Sequence, residues 1–319
     1  MKVLVTGAGG FVGQHLLNKL IKKDNNIVAI NRKNNKFLSS LNIPVYETDI
    51  LDFDTILNCI EQEKPDVLIH LAAQSNVGVS WREPALTAST NIEGSLNLYK
   101  AFFKVNPKGK FINIGSSDEY GLTAKLGIPL KEEMECKPQN PYSISKYCSE
   151  QMLLQLAKKD KVNVISTRSF NHFGPGQNIG FVISDFASQV ADIKKGLKEN
   201  EIFVGDLSAA RDFLYIDDVI DAYIKMAEKD ITTGVYNISS GTSIKIEYIL
   251  NKLIEISNID IEVIIDKNKF RPAEVRNFVG NSDKLKKIVG WKPTINFDDG
   301  LRKTLNYWID INANLNSVK

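Results

Sequence analysis

The stretch Lys2-Val3-Leu4-Val5-Thr6-Gly7-Ala8-Gly9-Gly10-Phe11-Val12-Gly13 decides the fold. Its first residues form a short apolar, β-branched run that reads as a buried strand, and the glycines that follow read as a tight turn. An amphipathic segment over residues 11–22 then reads as a helix. Glycine at such a strand–helix junction lets the backbone close on a ligand, while the exposed amides at the positive helix end face an anion. A pyrophosphate suits that setting, so Gly7, Gly10, Phe11, Val12 and Gly13 are expected to hold a dinucleotide. The spacing is GxxGxxG rather than GxGxxG.

Outward from this junction, strand-length apolar runs recur at 27–30, 67–71, 110–114 and 162–167. Helix-length amphipathic segments at 55–63, 84–103 and 142–158 separate them, which predicts an α/β fold with a doubly wound parallel sheet. After residue 169 the character changes. Residues 171–180 hold four glycines or prolines, and a less regular α and β mixture follows. The expected division is a dinucleotide-binding domain over 1–169 and a smaller α/β substrate lobe over 170–319, with some later segments returning to the first domain.

Composition excludes several classes of function. The 319 residues are 43% hydrophobic and 24% charged, as in ordinary globular proteins. Forty basic against thirty-eight acidic residues leave a net charge of +2, which gives no footprint for nucleic acid or an anionic membrane. No apolar stretch reaches the ~18 residues of a spanning helix, and the first run lacks the features of a signal peptide. A cytoplasmic location is therefore expected. Cys59, Cys136 and Cys148 form no CxxC spacing, so free thiols and no metal site are expected.

The second strand would end at Ala29-Ile30-Asn31-Arg32, about 20 residues on, where an acid selects the ribose hydroxyl of NAD. Asn31 and Arg32 stand there instead, and a guanidinium pairs with a 2′-phosphate, so NADPH is favoured with NADH as the alternative. Asp49 is placed to accept from the adenine amine beside Ile50, and Leu71, Ala72 and Ala73 supply small residues next to the cofactor.

Tyr142-Ser143-Ile144-Ser145-Lys146 puts a phenol and an ammonium four residues apart on one helix face. A phenol is a poor acid–base group at neutral pH, and the Lys146 charge with the nicotinamide would lower its pKa. Ser116, after the strand 110–114, lies at a strand carboxyl end, where a carbonyl oxygen is held. Trp81 is read either as a wall of the substrate pocket or as core. His172 receives no role.

Gly7, Gly10, Gly13, Ser116, Tyr142 and Lys146 together resemble the extended short-chain dehydrogenase/reductase family over essentially the whole chain. Within it, residues 115–121 (GSSDEYG), 170–177 (FNHFGPGQ), 205–207 with 211–213, and 271–275 (RPAEV) resemble the GDP-4-keto-6-deoxy-D-mannose reductases, relatives of GDP-mannose 4,6-dehydratase. The resemblance implies a Rossmann-type fold, a homodimer, and NADPH-dependent reduction of a GDP-linked 4-keto-6-deoxy sugar. Arg211 and Arg271 would bind the pyrophosphate, Asn171 the sugar or phosphate, and Glu274 the ribose. A 4,6-dehydratase needs a further carboxylate base, and its glutamate position is Asp118 here, one methylene shorter. Dehydratase or 4-epimerase chemistry is the alternative. A non-catalytic NADP-sensing regulator is a third reading, against which Ser116, Tyr142 and Lys146 speak jointly.

Overall fold

The run Lys2–Thr6 forms β1, buried from Val3 onward, inside a sheet that the computed structural model describes along with the rest of residues 1–269 and 275–316. On one side lie β2 (Asn26–Asn31) and β3 (Val45–Glu47), and on the other β4 (Val67–His70), β5 (Lys110–Ser116) and β6 (Asn163–Ser169). Further on come β7 (Asn171–Phe173), β8 (Glu201–Val204), β9 (Ala210–Tyr215) and β10 (Gly234–Ile238). Of these, β10 returns to the first sheet and pairs with β6, giving the order β10-β6-β5-β4-β1-β2-β3 with every pairing parallel.

Alternate residues of β1 enter opposite layers, as the strand period requires. Val3 and Val5 join Ala29 and Ile69 in one apolar cluster, while Leu4 joins Val28, Ile30 and Leu68 in the other. Both faces are thus covered, and the sheet is a doubly wound Rossmann-type sheet. Strand order reverses between β1 and β4, and the crevice of such folds lies at the carboxyl ends of strands at that point.

One expected helix is interrupted. Residues 84–103 were expected to form a single helix, but the chain forms Pro84–Ala88, a π turn over Ser89–Glu93, and Gly94–Val105. The buried Asn91 explains the widened turn: its Nδ2 donates to the Gln74 carbonyl at 3.0 Å and to Ser145 Oγ at 2.9 Å, while Oδ1 accepts from Gln74 N. Helical register is exchanged there for contacts to the loop after β4 and to the helix Pro141–Asp160. That helix starts cleanly, with Pro141 in its first turn and Asn140 accepting from Ser143 N at 2.8 Å.

After β10 the chain forms β11 (Ser243–Lys245), β12 (Glu262–Ile265) and β13 (Asn277–Phe278). Strand β9 is the centre of a second sheet, pairing with β7, β11 and β13. Asp212 fixes β9: its buried carboxylate accepts from Ser240 N and Oγ, Gly241 N and Gly280 N at 2.6 to 3.1 Å. Arg211 is thereby held beside the crevice. Asp212→Ala strands three backbone amides and is expected to cost about 3 kcal/mol, read as a lower urea midpoint, whereas an unchanged midpoint would contradict this role.

Candidate active site

Gly7 adopts φ +65°, and a Cβ there would lie 2.7 Å from Ala72 N, so the first glycine is needed to pack β1 against the end of β4. A Cβ on Gly13 would lie 2.5 Å from the carbonyl oxygens of Gly7 and Ala8. Between them the chain turns into the helix Phe11–Ile21, which has no side-chain cap at Gly10. The amides of Phe11, Val12 and Gly13 therefore head a helix without intrahelical partners, a cradle that fits a dinucleotide pyrophosphate. Asn31 closes its rim by accepting from Gly9 N at 3.1 Å, and Asn35 donates to the Gly9 carbonyl at 3.1 Å. Arg32 is exposed next to Asn31. Leu71, Ala72 and Ala73 are half-buried opposite the cradle. Asp49 spends one oxygen on Leu51 N at 3.0 Å, and Ile50 turns its side chain onto Gly94.

Two carboxyl ends beyond the cradle, β5 delivers Ser116. Its hydroxyl accepts from Asp118 N at 3.2 Å and acts on the neighbouring phenol of Tyr142. Lys146 follows one turn along the same helix and is buried. Ser116, Tyr142 and Lys146 are thus brought together. Burial chiefly, with the Asp118 and Glu119 carboxyls, pushes the Tyr142 phenol up, and the Ser116 hydroxyl pulls it down. Burial also pushes the Lys146 ammonium down, to about 8, and the Glu119 carboxylate opposes that drive. A phenol held in its acid form can give a proton at neutral pH.

His70, on β4, is enclosed beside this group. Thr6 Oγ1 lies 2.8 Å from its Nδ1 and Ser95 Oγ 2.9 Å from its Nε2, and burial, with the nearby Lys146, lowers it to about 3. Asn91 joins the same region through Ser145. Sequence reading missed Asn91, since one asparagine within a helical pattern carries no signal of a π turn.

Of the residues expected to bind substrate, Arg211 is half-buried, with Nη1 donating to the Ala210 and Arg276 carbonyls at 2.8 and 3.2 Å. It faces Asp118, whose carboxyl is raised by burial and lowered by the guanidinium, with burial the larger. Asp118 also acts on Tyr142, so this acid belongs to the site. Asn171 is exposed and donates to the Asp212 carbonyl at 3.4 Å. Arg271 and Glu274 lie outside the described residues. His172 stacks on Phe11 with centroids 6.2 Å apart, which sets a ring from β7 against the cradle. Trp81 is 62% exposed, so the core reading of that residue is wrong.

The family model for GDP-mannose 4,6-dehydratase matches residues 4–304. The chain belongs to that family. It is 36% identical over 307 residues to GDP-6-deoxy-D-mannose reductase of Pseudomonas aeruginosa, covering 96% of this chain and 97% of the relative. The structure of RMD from Pseudomonas aeruginosa complexed with NADPH superposes with a TM-score of 0.88 at 35% identity, over 97% of this chain and 99% of that one. UDP-glucose 4-epimerase from Thermotoga maritima, solved with UDP-glucose, gives a TM-score of 0.88 at 32% identity over 98% and 99% of the two chains. Members of this family and their structural neighbours thus include a reductase and an epimerase on one scaffold.

The enclosure of His70 has a measurable consequence. Its folded-state pKa lies below the unfolded value, so its contribution to stability is complete above about pH 6.5 and is lost as pH falls toward 3. An NMR titration should show the His70 ring unprotonated at pH values as low as about 4, and protonation near pH 6.5 would contradict the enclosure.

Proposed function

We propose that this protein is an NADPH-dependent reductase acting on the C4 ketone of a GDP-linked 4-keto-6-deoxy-hexose. The specific reaction takes GDP-4-keto-6-deoxy-D-mannose to GDP-D-rhamnose, as a cytoplasmic step toward surface polysaccharide. The observation that carries the reading is the Ser116 hydroxyl acting on the Tyr142 phenol, with the buried Lys146 one turn away, at the strand ends beside the glycine cradle. Similarity over nearly the full length to a reductase of this class supports it.

NADPH supplies the hydride when bound. The cradle of Gly7, Gly10, Phe11, Val12 and Gly13 holds its pyrophosphate, Asn31 and Arg32 its 2′-phosphate end, and Asp49, Ile50, Leu71, Ala72 and Ala73 line the remainder. As charge develops on the C4 oxygen, Ser116 donates a hydrogen bond to it and Tyr142 gives it a proton. Lys146 favours the resulting phenolate. The lobe formed mainly by residues after 169 holds the sugar nucleotide, with Arg211 and Arg271 on the pyrophosphate, Asn171 on the sugar or phosphate and Glu274 on the ribose. Binding energy from these remote groups orients the ketone.

Asp118 favours a second reading, a 4,6-dehydratase, because an acid stands where that reaction needs its C5 base. The assay separates the two. Protein supplied with the 4-keto sugar nucleotide should consume NADPH in preference to NADH, and Tyr142→Phe should bind NADPH yet lose roughly a hundredfold in turnover. Conversion of GDP-mannose to the 4-keto sugar without NADPH consumption would establish the dehydratase instead.

A homodimer completes the proposal. Leu86, Ile144 and Met152 are exposed on the neighbouring helices Pro84–Ala88 and Pro141–Asp160, an apolar face suited to a twofold four-helix contact. Sedimentation at micromolar concentration should show a dimer, and a monomer would refute it.

A further inference from the structure

Beneath the site lie two buried acids and two buried cations: Glu119 in the turn Ser117–Tyr120, Glu150 and Lys146 on the helix Pro141–Asp160, and Arg168 on β6. Arg168 gives Glu150 two hydrogen bonds, Nη2 to Oε1 at 2.7 Å and Nε to Oε2 at 3.1 Å, so that pair is mutually satisfied. Glu119 has a looser hold on the same guanidinium, with Oε2 at 3.6 Å from Nε and without a hydrogen bond of its own. Its Oε1 accepts the Ser116 N–H at 2.8 Å. Glu119 is the less fully engaged of the two acids, and Lys146 is a buried cation without an ion pair among the described residues. Lys146 sits four residues before Glu150 on the helix, and after burial itself the Glu119 carboxylate is the charge that acts on it.

A single buried charge is far more costly than a balanced pair. We propose that Glu119 is a positioning residue for the reduction: one oxygen fixes the Ser116 backbone, and the carboxylate is the buried counter-charge of Lys146. This rests on the reductase reading above. Burial drives both groups toward their neutral forms, the carboxyl up and the ammonium down; Glu150 adds to the rise of Glu119, Arg168 and, after it, Lys146 oppose that rise, and the Glu119 charge opposes the fall of Lys146. Tyr142, Tyr147 and Glu150 from the helix, Arg168 from β6 and Cys136 from the loop before it also face Glu119. Glu150 is engaged by Arg168, and the tyrosines and Cys136 are held in their neutral forms by burial. His70, which also lies beside Lys146, is neutral. Glu119 thus ties the hydroxyl end of the site to its ammonium end, across two elements separate in sequence.

The test compares Glu119→Gln, which keeps an oxygen for the Ser116 amide but no charge, with Glu119→Met, which keeps neither. Lysine side-chain carbon NMR follows Lys146, assigned by the signal missing in Lys146→Met, and needs no turnover. In both variants the Lys146 titration should fall by about one pH unit or more, and the alkaline limb of the hydride-transfer profile should move the same way. Glu119→Met should in addition lower the plateau rate about tenfold with KM for the sugar nucleotide little changed, while Glu119→Gln lowers it less. A Lys146 titration unmoved in a variant that still binds NADPH overturns the proposal. Should Glu119→Gln fail to fold, Glu119→Met, an apolar group of similar size, gives the same readout. Absence of NADPH consumption by the unaltered protein would count against the reductase reading, separately from the NMR result.

Discussion

A parallel sheet covered on both faces leaves polar chemistry one place to go, the edge where its strands end. Every pairing of the seven-stranded sheet is parallel, and the layers on either side of β1 are apolar. The glycine cradle at the end of β1, His70 at the end of β4, Ser116 at the end of β5 and Arg168 near the end of β6 consequently meet along one rim. The second sheet, hung on β9, brings Arg211 to the same rim, and Asp212 holds that strand in place through four hydrogen bonds. Fold and site share a cause.

What the sequence disclosed follows from how local each signal is. The strand Lys2–Thr6 and the helix beginning at Phe11 depend on neighbouring residues only, and the structure places both where the apolar pattern puts them. Tyr142 and Lys146 are four apart on one helix, so their approach is fixed by helical geometry. Assignments that depend on partners distant in the chain were not legible. Asn91 opens a π turn because its amide bonds Gln74 and Ser145 at once, and nothing within residues 84–103 announces that. Glu119, Glu150 and Arg168 come together only when the turn after β5, the long helix and β6 are assembled. The direction of the Tyr142 shift was likewise out of reach, since it is set by the depth of burial and by Asp118 and Glu119.

This balance of charge matters to the chemistry. Burial strengthens electrostatic effects among the groups it encloses and at the same time penalises any charge without a partner. Arg168 and Glu150 are joined by two hydrogen bonds, the acid Asp118 faces Arg211, and the Ser116 hydroxyl acts on the Tyr142 phenol. A phenol in its acid form next to a lysine suits proton donation to the oxyanion that develops when a C4 ketone is reduced, whereas a dehydratase or epimerase begins by oxidising the C4 alcohol and needs the ionised phenolate to take the hydroxyl proton.

The most direct measurement traces the hydrogen itself. NADPH deuterated at the transferring position, incubated with the protein and GDP-4-keto-6-deoxy-mannose, should place one deuterium on C4 of the sugar, identified by NMR as the 6-deoxy-hexose product. A dehydratase or epimerase cycle moves hydrogen within the sugar and returns it, so a product free of cofactor deuterium, formed while the labelled cofactor is unspent, would contradict the account.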